Sequence, residues 1–263
     1  MQPTQHPLTK VENKHIHPNV EKIRHLLRVV CFNWVVTIPA SFYFTRTLLH
    51  HLGAPGIDTS WPLPSMLRLL KELLISLAGE AVLFYYVHRL FHWKGLYKYH
   101  KLHHDFKAPT ALAMIYAHPL EVFLANFVPF YVPAAVFGSH IITFWLWLCI
   151  GVLGSGFHHA GYAWKWNPIT NETLVRFHDD HHLYYNVNFG TYGPLDWLHN
   201  TLGDEKGDTS FHGYESAITL WENSSRMRQL HPRLYGAVAW ALRKLDWRLR
   251  TVHTMKNAHS KPD

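Results

Sequence analysis

Three groups of histidines carry the chemistry of this sequence. His88 and His92 stand four apart in HRLFH. His100, His103 and His104 form H-x-x-H-H in HKLHH, and His178, His181 and His182 repeat that spacing in HDDHH. Residues three and four apart share one face of a helix. Each group can therefore aim two or three imidazoles at one point. A further pair, His158 and His159, closes an apolar run. Clustered imidazoles at this spacing read as metal ligands, and imidazole suits zinc, copper, iron and nickel alike. Eight clustered histidines plus this pair are too many for one ion and fit two. A structural zinc site takes four ligands and usually includes cysteine. The two cysteines here, Cys31 and Cys149, lie inside apolar stretches and build neither a thiolate site nor a disulfide framework. H-E-x-x-H is absent. The scattered histidines, such as His6, His50 and His253, read as ordinary polar residues.

These groups need elements that bring them together. Four apolar segments run through residues 29–48, 66–92, 120–138 and 141–157. A helix crosses the hydrocarbon core with about 20 such residues. The second segment contains Glu72 and Glu80, the third Pro129 and Pro133, and the fourth no charge at all. An acidic group within a membrane segment normally faces the protein interior, so Glu80 is either a structural hydrogen-bonding group or part of a substrate channel. The loop 50–65 and the turn 138–140 lack lysine and arginine, whereas Lys10, Lys14, Lys22, Arg24 and Arg28 precede the first segment. Arg89, Lys94, Lys98, Lys101 and Lys107 follow the second. The positive-inside rule places those basic flanks in the cytosol. The expected fold is all-α and integral to the membrane. Four transmembrane helices form two hairpins under a cytosolic helical cap that holds a histidine-ligated di-metal site. An even number of crossings returns the chain to the same side, so every histidine group reaches one membrane face.

Composition agrees with that reading. Charged residues make up 16%, below the roughly 25% usual in soluble proteins. The formal charge of +7 sits at the ends of apolar runs and on no base-reading face, which points to a membrane surface and away from nucleic acid. The first 20 residues lack the apolar core of a cleavable signal peptide, and the last residues match no carboxy-terminal address signal. The expected organisation is a cytosolic amino-terminal segment (1–28), a membrane and catalytic domain (29–203) and a cytosolic tail (204–263). In the tail, Leu234, Val238, Leu242, Leu245 and Leu249 fall near one face of a basic amphipathic helix.

From about residue 83 to 201 the chain resembles the sterol desaturase/fatty acid hydroxylase superfamily of membrane di-iron enzymes. HRLFH resembles the first histidine box, YKYHKLHHDFKAPT the second and FHDDHHLYYNVNFGTYGPLDWLHNT the third with its tail. YAHPLE, from Tyr116 to Glu121, and His159-Ala160-Gly161-Tyr162 are similar to segments of C4-methylsterol oxidases. The resemblance implies two iron ions, O2 as co-substrate, and electrons from NAD(P)H through cytochrome b5 and its reductase. It also implies an endoplasmic reticulum membrane, with both termini and the active site cytosolic. Carried over by position, the ligands are His88, His92, His100, His103, His104, His159, His178, His181 and His182. His118 and His158 are further metal or outer-sphere candidates. Asp179 and Asp180 are candidates to hydrogen-bond ligand imidazoles. No catalytic residue is expected beyond the metal centre. Where relatives carry Gly before the final Thr, this chain has Asn200, a residue that tolerates the left-handed conformation.

The expected reaction is O2-dependent hydroxylation, single or repeated, of a C–H bond in a membrane lipid. The three-residue spacing of the first box and the H-x-G-Y element favour a sterol, such as a 4-methylsterol, in sterol biosynthesis. A fatty acid or sphingolipid hydroxylase or desaturase is the alternative. A membrane metal transporter or zinc hydrolase is the non-redox alternative. A transporter would carry ionisable groups through the membrane depth, and here the histidines gather at one face.

Overall fold

A computed structural model describes residues 2–3, 20–106, 109–163 and 172–203. Within them the protein is helical. Strand pairing there is confined to a two-residue match of Gln2–Pro3 with Tyr162–Ala163 and a bridge between Asp58 and His140. The predicted tail helix lies outside the described residues.

The first long helix, α1, is Val20–His51, about nine residues longer at its start than the apolar run. Its interior carries a wider π turn at Asn33–Thr37. Pro39 explains the turn, because proline has no N–H and its ring clashes with the carbonyl four residues back, here that of Val35. Helix α2 is Met66–Phe91, started by Ser65, whose hydroxyl accepts from the Arg68 N–H. A short helix α3, Tyr97–His100, and a 3-10 turn, His103–Asp105, carry the second histidine group. Helix α4 spans Pro119–Val136, with a π turn at Val122–Phe127. Pro129 stands four residues beyond Ala125 in that turn, the same arrangement as in α1. Helix α5 is Ile141–Ala160 and ends at Gly161 in the left-handed conformation, φ +67°, a common glycine stop. Helix α6, Glu172–Tyr184, carries the third group, and the short α7, Pro194–Leu198, closes the tail.

Three of these helices, α1, α4 and α5, are long and apolar enough to cross a membrane. Helix α2 is long enough, at 26 residues, but carries Arg68, Lys71, Glu72 and Glu80 in its first fifteen. The faces of α1 are inverted relative to a water-soluble helix. Asn33, Thr37, Ser41 and Thr45, spaced by four, are buried, whereas Val35, Tyr43 and Phe44 are exposed. The same holds on α2 and α5, where Leu74 and Leu153 face outward. Apolar surface of this extent is stable against lipid and not against water. Inside, most of the polar stripe is bonded: Thr37 donates to Asn33 Oδ1 at 2.8 Å, and Ser41 donates to the Thr37 carbonyl at 2.7 Å, while the buried Thr45 hydroxyl has no partner.

The two hairpins are fastened at the end away from the histidines. Gly56 and Asp58 donate backbone N–H groups to Ala135 and Ser139. Arg68 bridges Asp58 (2.7 Å) and Glu72 (2.6 Å), and Glu72 accepts from the His140 N–H. Bonds from Ser60, then Arg68, hold the Asp58 carboxyl below the usual carboxylate range. Halfway along, Gly79 lets α2 touch α4. A Cβ at position 79 would stand 2.5 Å from Pro133 Cβ.

Candidate metal centre

At the other end of the helices, nine histidines fall into two groups. His88, His92, His100, His104 and His181 form the first; His103, His159, His178 and His182 form the second. Within each group, one nitrogen from every ring lies within 4.8 Å of the others. The partition follows local spacing. Residues four apart stay together (88 with 92, 100 with 104, 178 with 182), while the middle histidine of each H-x-x-H-H, His103 or His181, joins the opposite group. Each H-x-x-H-H therefore serves both groups.

Nε2 atoms converge in both. In the first group His88 and His100 approach to 3.1 Å, His100 and His104 to 2.9 Å, and His92 and His104 to 3.3 Å. In the second, His159 stands 3.1 Å from His178 and 3.4 Å from His103, and His178 stands 3.2 Å from His182. Three of the nine rings have their tautomer set by a backbone carbonyl. His88 Nδ1 donates to the Phe189 carbonyl at 2.7 Å, His181 Nδ1 to Val187 at 2.7 Å and His159 Nδ1 to Ser155 at 2.8 Å. A neutral ring that donates through Nδ1 presents a lone pair at Nε2. His100 Nδ1 lies 2.8 Å from Glu121 Oε1, short for an ion pair though off the line of a hydrogen bond. Nε2 lone pairs gathered at one buried point are ready to accept a cation. Nitrogens bound at about 2.1 Å around one ion stand roughly 3 Å apart. The donor set fits two metal ions.

Protonation works in the same direction. Burial, and after it the neighbouring imidazoles, lowers the basicity of His92, His100, His103, His104, His178 and His182. His181 is lowered likewise, chiefly by burial. Desolvation disfavours imidazolium, so the rings are neutral and ligand-competent at neutral pH.

The loop after α6 is built to hold these rings. Tyr185, Asn188 and Asn200 take positive φ values of 66°, 57° and 55°. Asn200 thus adopts the left-handed turn expected of it. Asn188 donates to the Phe177 carbonyl and accepts from the Gly203 N–H, which makes it a turn residue. Asp196 is fully buried and accepts from the N–H groups of Phe189 and Gly190 and from the Thr201 hydroxyl, at 2.7 to 2.8 Å. Burial pushes its carboxyl up to about 6 despite these donors. Tyr85 on α2 shares a hydrogen bond with Thr201 and accepts from Arg89. The carbonyls of Val187 and Phe189 are therefore fixed where His181 and His88 need them.

The remaining candidates lie elsewhere. His118 caps α4, accepting the Leu120 N–H at 3.1 Å, outside both groups. His158 is buried with its ring 6.3 Å from that of His178, also outside them. Asp179 and Asp180 are buried on α6 between the histidines. Sequence reasoning gave no role to Glu121, although an acid in the first turn of an apolar helix, directly after the second box, was a visible signal.

A cavity of about 900 Å³ opens beside both groups. His88, His100, His103, His159 and His178 form one end of its wall. Phe84, Phe130, Tyr131 and Trp147 line its middle, and Ala54 to Ile57 lie at the far end. Its polar lining is sparse, with Glu80 and Thr191 among the few such groups.

Residues 73–201 match the sequence profile of the fatty acid hydroxylase family. The chain is 36% identical over 203 residues to fatty acid hydroxylase domain-containing protein 2 of Macaca fascicularis, covering 76% of this chain and 57% of that protein. It is 31% identical over 225 residues to methylsterol monooxygenase 2-2 of Arabidopsis thaliana, covering 81% and 78%. It is 30% identical to very-long-chain aldehyde decarbonylase GL1-8 of Oryza sativa subsp. indica, covering 74% of each. The chain thus spans little more than half the length of the macaque protein, and most of the other two. No solved structure matches it.

Proposed function

The chain belongs to the fatty acid hydroxylase family, and from that premise we propose that it is a membrane-embedded monooxygenase that hydroxylates a C–H bond of a lipid with O2 and two iron ions. The observation that carries this reading is the pair of imidazole groups whose Nε2 lone pairs converge beside one apolar cavity. His88, His92, His100, His104 and His181 would hold one ion, and His103, His159, His178 and His182 the other. Bound iron supplies the redox chemistry that O2 activation and C–H oxidation require. The protein's own part is positional. The Phe189, Val187 and Ser155 carbonyls fix the tautomer and tilt of three ligand rings, and the Glu121 carboxyl stands beside a fourth, His100. The cavity wall excludes water and holds an apolar body against the histidines.

We assign α2 as a fourth membrane crossing. Its charges at the far end pair with Asp58 and with each other, which lowers the cost of placing them near the membrane surface. The histidine end then faces the cytosol, in an endoplasmic reticulum membrane. Exposed Arg89, Lys94, Lys98 and Lys101 surround it and favour an acidic electron donor such as cytochrome b5.

A sterol is the favoured substrate, oxidised at a methyl or ring carbon. The spacing of the first box, the H-x-G-Y element and the methylsterol monooxygenase relative support it. A cavity of about 900 Å³ is at the large end of small-molecule sites, suited to a bulky rigid lipid. Fatty acid or sphingolipid oxidation is the second reading, supported by the macaque relative's name. The purified protein, reduced by its electron-transfer chain, is to be given a 4-methylsterol and, in parallel, a ceramide and a free fatty acid. Two irons per chain and an oxygenated sterol are expected. An oxygenated acyl product alone transfers the activity to the second reading. Zinc without O2-dependent turnover removes the oxygenase reading altogether.

A further inference from the structure

Glu80 is the acidic group on the cavity wall that touches none of the nine histidines through any bond described above. It lies on the face of α2 that also carries Phe84 and His88, at steps of four, and all three line the cavity. Its Oε1 accepts a hydrogen bond from the Thr191 hydroxyl at 3.0 Å. Its Oε2 is shut from solvent and has no hydrogen-bond partner in the protein. Next in sequence to Thr191, the Tyr192 phenol also lines the cavity, and burial, then the Glu80 charge, pushes it up to about 12. Tyr192 thus stays a neutral hydroxyl. An unpartnered carboxyl oxygen in an apolar wall is costly, and an ionisable group at such depth marks a functional contact. Packing alone does not account for it, because Gly79 next to it already provides the close approach of α2 to α4.

We propose that Glu80, steadied by Thr191, is the polar subsite that binds the hydroxyl group of a lipid alcohol in this cavity. The argument for an alcohol is one of donors and acceptors. A carboxylate accepts and a carboxylic acid donates; a hydroxyl answers either form. An aldehyde, ketone or ester carbonyl only accepts, and a hydrocarbon does neither. A fatty acid carboxylate placed here would meet like charge. Glu80 stands two helical turns before His88, about 12 Å along the axis at 1.5 Å per residue. The hydroxyl and the oxidised carbon are therefore well separated on one ligand, so a sterol held here by its 3-hydroxyl presents a remote ring or methyl carbon to the histidines, and not the adjacent 4-methyl group. This deepens the reading under Proposed function and rests on it: of the lipids considered there, those with a free hydroxyl within the membrane-embedded body are selected.

The test compares matched alcohols and ketones on the metal-loaded, membrane-reconstituted protein. Binding of a 4-methylsterol and its 3-ketone, and of a sphingoid base and its 3-ketone, is measured for wild type and for Glu80→Gln. The glutamine is isosteric; its oxygen still accepts from Thr191, and its amide now donates where Oε2 accepted. Wild type is expected to bind one of the two alcohols at least about tenfold tighter than its ketone, and whichever pair shows the preference identifies the lipid. Glu80→Gln is expected to abolish that preference while iron content stays at two per chain. A second variant, Thr191→Val, is expected to weaken it severalfold in the same direction. Equal binding of alcohol and ketone by wild type, failure to bind either alcohol, or an alcohol preference retained in Glu80→Gln each overturns the proposal. The di-iron reading fails separately, through metal content and O2 consumption, neither of which Glu80 determines.

Discussion

The two halves of the centre are held differently. In the five-histidine group, His88 and His181 have well-formed Nδ1 anchors in the carbonyls of Phe189 and Val187; His100 Nδ1 lies 2.8 Å from Glu121 without a well-aligned bond, and His104 Nδ1 is buried without a partner. In the four-histidine group, among the described residues, His159 alone has a well-formed anchor, and it is the Ser155 carbonyl one turn back on its own helix. His103 leans toward the Tyr116 backbone without a well-aligned bond, and His182 Nδ1 is buried without a partner. Partners of this kind orient a ligand before the ion arrives. The first group, with two anchors and a carboxylate beside a third ring, is therefore the more preorganised, and the second, with one anchor, depends more on the ion itself. The first should bind more tightly and release later.

Ligand removal gives the largest expected effect. His104→Ala should empty the five-histidine group and His182→Ala the four-histidine group, each lowering iron from two toward one per chain. Turnover should fall by at least about 100-fold in both, the upper end of what outer partners alone contribute. Metal analysis of detergent-purified protein, with activity, checks this. Near-normal turnover in both variants would remove the ligand assignment.

Acid should separate the halves next. The folded protein holds these imidazoles below their ordinary basicity, so unfolded rings bind protons that the folded rings refuse. This contribution to stability is then fully present above about pH 6.5. It is lost as pH falls below that value toward the folded pKa, at up to about 1.4 kcal/mol per pH unit for each histidine involved. Titrating the holoprotein from pH 8 to pH 5 should release iron in two steps, the four-histidine ion first. A single concerted release would show that the anchors make no difference.

Glu121→Ala acts beside one ring only. It should weaken one of the two ions by about 10- to 100-fold and leave the other unchanged. Equal loss from both sites would merge the two halves into one. Asn200→Val is the gentlest probe. A β-branched residue at φ +55° should cost about 1–2 kcal/mol, seen as a lower melting temperature. Because that turn supports the carbonyls of Val187 and Phe189, any loss of metal should fall on the five-histidine group. Asn200→Gly should leave both ions in place.

Much of this molecule is legible without coordinates because it is local. The spacing of HRLFH, HKLHH and HDDHH is a property of one or two helical turns, and all nine histidines chosen from sequence lie in the two groups. The apolar runs mark α1, α2, α4 and α5 to within a few residues, apart from the early start of α1. That extension is amphipathic, with Leu26 and Val30 buried between exposed polar residues, so a search for continuous apolar sequence passes over it. The tolerance of Asn200 for a left-handed turn is likewise a property of one residue.

The partition into five and four was not legible, although its rule is simple once seen. A helix turns about 100° per residue, so the middle histidine of H-x-x-H-H points away from its neighbours by an angle that only a second helix can use. Whether it finds a second ion depends on where α6 lies across from α3, which no local pattern encodes. The same holds for the anchors. Glu121 reaches His100 and Phe189 reaches His88 across long stretches of chain, and the orphaned Oε2 of Glu80 has meaning only once a cavity surrounds it. Period marked eight of the nine histidines and the resemblance the ninth, His159, and hydropathy marked the apolar helices. Tertiary packing decided which histidines gather together, which rings have backbone anchors, and which polar group stands unpartnered on the cavity wall, because those are relations between surfaces that meet only when the chain has folded.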